Sequence, residues 1–229
     1  LAEQPVKALA LSPREPDTVY AGTRPARLHR SDDGGATWRE LAGFRRIPGR
    51  WWWFSPAEPP WQAYVQAIAV SPTESALVLA GIEFGAVVRS ADGGASWSGH
   101  RAGALRDCHQ LRFHASDGRY VYQAGGTGGG AAWSRDGGTT WEKAGRGLAK
   151  GYGVACAADA LNPERWYVSV APGPGKAYPP KGEAYLYRRE PSGTWHPIGW
   201  APHPLSSMPL ALAAPGGREG VLVAGLANG

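Results

Sequence analysis

The sequence has few of the residues that mark disulfide scaffolds and metal sites. It contains only 2 cysteines in 229 residues, Cys108 and Cys156, too few and too far apart for either arrangement. His109 and His114 are five positions apart on one predicted strand, so their side chains point to opposite faces. No other His or Cys cluster has metal-ligand spacing. The sequence therefore predicts no metal site, and no motif indicates a cofactor.

Long apolar runs and long basic runs are also missing. No apolar run reaches the length of a membrane-spanning helix. The formal net charge is +5, and the 24 lysines and arginines are dispersed rather than clustered. These absences argue against a membrane span and against a nucleic-acid partner.

Glycine and proline, in contrast, are abundant, with 33 and 20 residues, and 43% of the chain is hydrophobic. This composition is typical of many short strands joined by tight turns. The apolar content is sufficient for one domain with a buried core.

One pattern, S-x-D-G-G-x-[ST]-W, begins at Ser31, Ser90 and Ser134, and a degenerate fourth copy ends at Trp195. Asp can close a turn by hydrogen-bonding the backbone ahead of it, and Gly-Gly provides positive φ angles. The Trp provides a large apolar surface for packing. We predict structural roles for Ser31, Asp33, Gly35, Thr37, Trp38, Ser90, Asp92, Gly94, Ser96, Trp97, Ser134, Asp136, Gly138, Thr140 and Trp141.

The pattern resembles the Asp-box, or BNR, repeat of bacterial sialidases, sortilin-type receptors, some xyloglucan hydrolases and a photosystem II assembly factor. The resemblance implies a β-propeller with sialidase-like or glycosyl-hydrolase-like relatives. Enzymes and non-enzymes share this architecture, so the resemblance leaves the function open.

A second repeat precedes each motif, as an apolar strand-length run that ends in a turn. Its anchors recur at about the 40–50-residue spacing of a propeller blade, at Ser12, Ser71, His114, Asn162 and Ala214. We predict an all-β fold, a β-propeller of four-stranded antiparallel blades with the motif turn between the third and fourth strands. One domain would cover 1–229, with repeats over 6–64, 65–107, 108–155, 156–207 and an incomplete 208–229.

About five blades are visible, and the last repeat stops after its second strand. We therefore expect the sequence to be a piece of a six- or seven-bladed propeller. In this alignment Cys108 and Cys156 occupy equivalent positions on the inner strands of adjacent blades. We predict that both are free thiols that fill apolar space.

Turns of an up-and-down blade alternate between its two ends, so the long loops lie at the end opposite the motif turns. The candidate ligand-binding residues in those loops are Arg24, Arg50, Trp51, Trp52, Trp53, Arg106 and His109. Guanidinium groups suit carboxylate, sulfate or phosphate. The alternative is three separately solvated arginines. The Trp triplet is either a stacking platform for sugar or a cap on the core between blades.

The sialidase resemblance implies three arginines for a substrate carboxylate, a Tyr–Glu nucleophile and an Asp acid/base. Residues of the last three types in the loops are Tyr152, Glu83 and Asp107. Alternatively, Glu83 only solvates a turn, and Asp107 forms a surface ion pair with Arg106. A glycosidase needs Glu83 and Asp107 to converge within about 5–10 Å.

Two functions follow from these residues. The favoured one is a non-catalytic propeller that binds a glycan, an anionic small molecule or a protein partner, because aromatic residues and arginines dominate the loops. The alternative is an exo-glycosidase of the sialidase-like kind.

Overall fold

In the structure, a computed structural model, most of the regular secondary structure consists of short antiparallel strands. The structure describes residues 4–57, 59–126, 128–178, 182–199 and 204–228. The first two sheets contain β1 (Val6–Leu11), β2 (Val19–Thr23), β3 (Leu28–Ser31) and β4 (Arg39–Glu40), then β5 (Val65–Val70), β6 (Val78–Ile82) and β7 (Val87–Ser90). The next two contain β8 (Cys108–Phe113), β9 (Val121–Gly125), β10 (Ala131–Ser134) and β11 (Glu142–Lys143), then β12 (Tyr152–Ala158), β13 (Trp166–Ala171), β14 (Tyr185–Arg189) and β15 (Trp195–Pro197). The fifth contains β16 (Pro209–Ala213) and β17 (Val223–Leu226).

Within every sheet the strands are hydrogen-bonded in chain order, as in a meander. The first strand of each sheet packs against the first strand of the next, so that β1, β5, β8, β12 and β16 follow one another. This arrangement of successive antiparallel sheets is that of propeller blades. The predicted all-β propeller with about five visible blades is confirmed.

The second blade departs from the predicted four strands, since its sheet has three among the described residues. The segment after the second motif lies beside β7, but side chains replace part of the ladder. Ser98 Oγ accepts the Arg89 amide at 3.1 Å, and His100 Nδ1 accepts the Val87 amide at 3.2 Å. A fourth strand cannot form where side chains take the place of backbone carbonyls.

Every inner strand has an irregularity near its start. The register shifts between Val6 and Ala8 in β1, and at the corresponding places in β5, β8, β12 and β16. In β8 the shift brackets His109. Each bulge leaves one residue outside the regular pairing, which can redirect its side chain.

The positions of the bulges show that one part of the predicted repeat alignment is wrong. Gly153 precedes the bulge in β12 as Cys108 precedes the bulge in β8, so these two residues are equivalent and Cys156 lies three residues beyond the equivalent position. Correspondingly, β12 begins at Tyr152, ahead of the predicted repeat start at Cys156. The prediction of two free thiols is confirmed, because both cysteines are buried and unpaired.

The core lies between adjacent blades and consists of separate apolar clusters. Glycines of the second strands permit close packing there. A Cβ atom at Gly81 would lie 2.2 Å from Cys108 Sγ, so the thiol occupies the space that a side chain would take. Cys108 is therefore a small apolar filler between the second and third blades.

Each of the three S-x-D-G-G turns contains the same set of hydrogen bonds, and all three turns lie at the end of the blades opposite the long loops. In the first, Asp33 accepts bonds from the Ser31 hydroxyl at 2.7 Å and the Thr37 hydroxyl at 2.6 Å. The Thr37 amide also donates to Asp33 at 2.8 Å, and Trp38 Nε1 donates to the Gly35 carbonyl at 2.9 Å. The second and third turns repeat these contacts.

Among the described residues, helical structure is confined to the 3-10 segments Ala42–Arg46 and Arg50–Trp52 and the four-residue helix α1 (Pro174–Ala177). None of the helices in the described ranges is long and apolar enough to cross a bilayer.

Candidate functional site

Four of the predicted site residues meet in one cavity at the loop end of the blades. Glu83, Asp107, His109 and Tyr152 line a cavity of about 560 Å³. We call it the carboxyl cavity; its other lining residues are Pro56, Ala57, Tyr64, Gln66, Phe84, Gly126, Pro174 and Tyr178. The two carboxyl groups and the imidazole offer ligand atoms that all lie within 4.8 Å of one another. The convergence of Glu83 and Asp107 that a glycosidase requires is present.

Equivalent backbone bonds in successive blades place these groups. In the second and third blades the residue after the second strand donates its amide to the residue before the first strand, as Glu83 does to Tyr64 at 3.1 Å and Gly126 does to Asp107 at 3.0 Å. In the first blade, Arg24 makes the same bond to Pro5 at 3.0 Å. The repeat therefore brings a different residue type to the same position in each blade.

The start of β8 presents two polar side chains to the cavity. Asp107 and His109 both line the cavity, the latter from the bulge in β8, while Cys108 faces the core. Gly126 makes room for the carboxylate, because a Cβ atom there would lie 1.9 Å from Asp107 Oδ2. The glycine after β9 is therefore required by the position of Asp107.

Both acids of the cavity are buried. Glu83 is 8% exposed, and burial raises its pKa to about 7, with the charge of Asp107 adding to the effect and His109 opposing it. Asp107 is 1% exposed, and its Oδ1 lies 3.3 Å from His109 Nε2 without hydrogen-bond geometry. Two carboxyl groups thus share a poorly solvated space with one imidazole.

His109 is fixed from the opposite side of its ring. Its Nδ1 lies 2.6 Å from the carbonyl oxygen of Gly153, which can only accept a hydrogen bond. Burial lowers the pKa of His109, but the adjacent Asp107 carboxylate and the Gly153 carbonyl outweigh burial, and the pKa is raised. The ring also packs against Tyr152, with centroids 4.7 Å apart.

Tyrosine rings form much of the remaining wall. Burial is the main cause that raises the pKa values of Tyr64, Tyr152 and Tyr178, so all three are neutral phenols. Tyr178 is 47% exposed and stands beside α1 at the edge of the carboxyl cavity. Neutral phenols offer both flat rings for stacking and hydroxyls for hydrogen bonds.

The Trp triplet divides into two parts. Trp51 and Trp52 are exposed and stack on each other with centroids 4.2 Å apart, whereas Trp53 packs against Phe44 in the core. Trp52 and Trp53 line a neighbouring cavity of about 650 Å³, and Phe84 lines both cavities. The aromatic surface therefore continues from the carboxyl cavity toward the tryptophans.

The three arginines are engaged separately. Arg24 is buried with its guanidinium 5.7 Å from the ring centre of Tyr64. Arg50 donates to the Ala26 carbonyl at 2.6 Å, and Arg106 donates to the Gly85 carbonyl at 3.0 Å. No arginine or lysine is among the described residues that line the carboxyl cavity. A shared anion site of the three arginines stays a prediction.

Sequence reasoning missed several residues of the cavity, namely Tyr64, Phe84, Gly126 and Tyr178. For three of them the sequence repeat does contain a signal. Tyr64 and Gly126 lie at the same repeat positions as Asp107 and Glu83, respectively, and Phe84 follows Glu83 directly. Tyr178 comes from the loop after β13, and nothing in the repeat locates that loop over the cavity.

Neither the protein-family models nor the curated protein sequences give a match. Among solved structures, the chain is similar to the GH74 xyloglucanase from Xanthomonas campestris, with 21% identity over 96% of this chain and 35% of that enzyme, and a TM-score of 0.67. It is also similar to the GH74 enzyme of Niastella koreensis, with 19% identity over 88% and 31% of the two chains and a TM-score of 0.64.

A third similar structure is YCF48 from Cyanidioschyzon merolae, with 15% identity over 92% of this chain and 60% of that one, and a TM-score of 0.57. The chain spans 25–35% of the length of the GH74 enzymes that it matches. At these identities the likeness concerns the fold alone. This chain therefore has a propeller fold that it shares with glycoside hydrolases and with YCF48.

Proposed function

We propose that this chain is a ligand-binding β-propeller of the Asp-box type and that the carboxyl cavity binds a neutral glycan. The observation behind the proposal is the lining of the cavity, in which neutral tyrosine rings surround two buried carboxyl groups. Sugar hydroxyls can donate to carboxylates, and the apolar faces of sugar rings can stack on tyrosine.

The charge of the lining favours a neutral ligand over an anionic one. Glu83 and Asp107 would repel a sialylated or sulfated sugar, and His109 is the one basic group among the described lining residues that offsets them. The exposed pair Trp51 and Trp52 extends the aromatic surface outside the cavity, and a ligand of several sugar units could reach it.

Calorimetric titration with a panel of neutral, sialylated and sulfated oligosaccharides tests this proposal. We expect saturable binding of a neutral oligosaccharide. Tyr178→Ala should weaken it at least tenfold, or about 1.4 kcal/mol, whereas Tyr178→Phe, which retains the ring, should bind nearly normally. Leu161→Ala, at an exposed position in the β12–β13 turn, is the control.

Two results would refute the proposal. The first is binding of sialylated sugars only, reduced by Arg106→Ala and not by Tyr178→Ala. The second is binding of peptides but of no glycan in the panel, which would make this a protein-interaction propeller. One solved structure of YCF48 is bound to D1 peptide, so peptides belong in the panel.

A second candidate, glycoside hydrolysis, is favoured by the distance between the acids. Ligand atoms of Glu83 and Asp107 lie within 4.8 Å of each other, which is shorter than the carboxyl separation of about 5–5.5 Å in retaining glycosidases but nearer to it than to the roughly 6.5–9.5 Å of inverting ones. Release of the aryl group from neutral aryl-glycosides, lost in both Glu83→Gln and Asp107→Asn, would support it. If the unmodified chain bound the aryl-glycosides without hydrolysing them, this second candidate would be excluded.

A further inference from the structure

The cluster of Glu83, Asp107 and His109 combines three acceptor groups of a kind that binds metal ions. One carboxylate oxygen from each acid and one ring nitrogen lie within 4.8 Å of one another, and all three side chains line the carboxyl cavity. Two oxygens and one imidazole nitrogen are a donor set for first-row transition metals.

The orientation of His109 is the first independent observation. Because the Gly153 carbonyl can only accept, the ring proton of the neutral form lies on Nδ1 at 2.6 Å from that oxygen. The Nε2 lone pair then faces Asp107. A metal-bound histidine commonly donates its other ring nitrogen to a backbone carbonyl in the same way, which fixes the tautomer and raises the basicity of the ligand.

The lack of hydrogen-bond donors to the acids is the second observation. Asp107 is 1% exposed, and its Oδ1 has no hydrogen bond. Glu83 is 8% exposed, and no hydrogen bond to its carboxyl group is present in the described part of the chain. Buried carboxylates are normally hydrogen-bonded, paired or bound to a metal, and here a single imidazole serves both.

Distances agree with a small ion. Ligands about 2.1 Å from a tetrahedral Zn²⁺ lie about 3.4 Å from one another, and Asp107 Oδ1 and His109 Nε2 are 3.3 Å apart. A ligand atom of Glu83 lies within 4.8 Å of both, so a small rotation of its side chain would bring a third ligand to the ion.

We propose that Glu83, Asp107 and His109 form a binding site for a divalent transition-metal ion of the Zn²⁺ or Mn²⁺ class. A nitrogen ligand and only three protein ligands disfavour Ca²⁺, which takes six to eight oxygens. Coordination positions left open would face the cavity beside Tyr152, where ligand hydroxyls could occupy them. In this site both acids are ligands, so the proposal competes with the hydrolytic candidate, and its test is carried out without glycan.

Equilibrium dialysis and calorimetry of the chelator-treated full chain against Zn²⁺, Mn²⁺ and Ca²⁺, without glycan, test the site. We expect one transition-metal ion per chain and no saturable Ca²⁺ binding. Co²⁺ should develop visible d–d absorption that Zn²⁺ abolishes, a readout that needs no variant. Glu83→Gln and Asp107→Asn should each weaken binding at least tenfold, with unchanged far-ultraviolet circular dichroism.

His196→Gln, which alters an exposed histidine of β15, is the matched control and should leave the affinity unchanged. Failure of the unmodified chain to bind Zn²⁺, Mn²⁺ or Co²⁺ would overturn the proposal. So would transition-metal binding that persists in both acid variants, or saturable binding of Ca²⁺ alone. None of these results bears on whether the cavity binds a neutral glycan, which the oligosaccharide titration measures separately.

Discussion

Carboxyl groups stand at both ends of the blades, but in opposite environments. In the S-x-D-G-G turns, bonds from the Thr37 and Ser96 hydroxyls and amides lower the pKa values of Asp33 and Asp92 to about 2. In the carboxyl cavity, burial raises the pKa of Glu83 to about 7. The turn carboxylates are solvated and satisfied by donors, whereas the cavity carboxyl groups are buried, and Asp107 Oδ1 has no hydrogen bond.

This difference distinguishes carboxyl groups that stabilise the fold from carboxyl groups that are available to a ligand. A carboxylate whose charged form is hydrogen-bonded favours the folded state. A carboxyl group that is buried without donors costs stability and persists where a ligand can use it. We therefore propose that the turn aspartates serve the fold and that Glu83 and Asp107 serve binding.

The largest expected effect concerns Gly138 in the third turn. Its φ is +80°, and a Cβ atom would lie 2.8 Å from Leu79 Cδ2 of the neighbouring blade. Gly138→Ala should lower the free energy of unfolding by the roughly 1–3 kcal/mol of left-handed strain, plus the overlap. Chemical denaturation measures this difference.

Two other glycines serve as controls for that substitution. Gly217 has φ +82° and no atom within 4 Å of a Cβ, so Gly217→Ala should show strain alone. Gly216 has neither feature, and Gly216→Ala should be nearly neutral. If Gly138→Ala and Gly217→Ala lowered the free energy of unfolding equally, the third turn would not be packed tightly against the next blade.

A smaller effect is expected for Asp33→Ala in the first turn. Asp33 accepts bonds from Ser31 and Thr37, so its removal should lower Tm by a few degrees and leave ligand affinity unchanged. Asp32→Ala, one residue away, removes only the exposed pairs with Arg30 and Arg39 and should lower Tm less. Loss of binding in a normally stable Asp33→Ala protein would contradict the assignment.

The turns could be predicted from the sequence because their contacts are local. Ser31, Asp33 and Thr37 lie within seven residues, and chemistry and spacing determine their network. The blade order followed from the same repeats. The ladder of the second blade was not predictable, since it is interrupted by the individual side chains of Ser98 and His100.

The cavity depends on contacts that no local pattern contains. Glu83 and Asp107 meet because two blades pack in one register, and the bulge in β8 was not visible in the sequence. The repeat start at Cys156 was wrong because the alignment matched Asn162 to Ser12, whereas Asp159 makes the equivalent backbone bond, from its amide to the residue before the second strand. Tyr178 reaches the site from a long loop, whose path depends on packing.

The stabilisation of the fold by the turn aspartates should decrease in acid. The pKa values of Asp33 and Asp92 are lower in the folded protein than their ordinary value of 3.8. Their stabilisation is therefore fully present above that value and is lost as the pH falls toward about 2. Thermal unfolding at about pH 5 and about pH 2 should show a smaller loss for Asp33→Ala than for the unmodified chain. Equal losses would mean that this aspartate does not stabilise the fold.

The smallest expected effect is also the most direct test that the two ends differ. Tm is measured for the unmodified chain, Glu83→Gln and Asp33→Ala, in chelator and above neutral pH, where the buried Glu83 carboxylate is least favourable. Glutamine has the same shape without the charge, so Glu83→Gln should unfold at or above the Tm of the unmodified chain, while Asp33→Ala unfolds below it. A Tm for Glu83→Gln as low as that of Asp33→Ala would show that Glu83 stabilises the fold, and the account would be wrong.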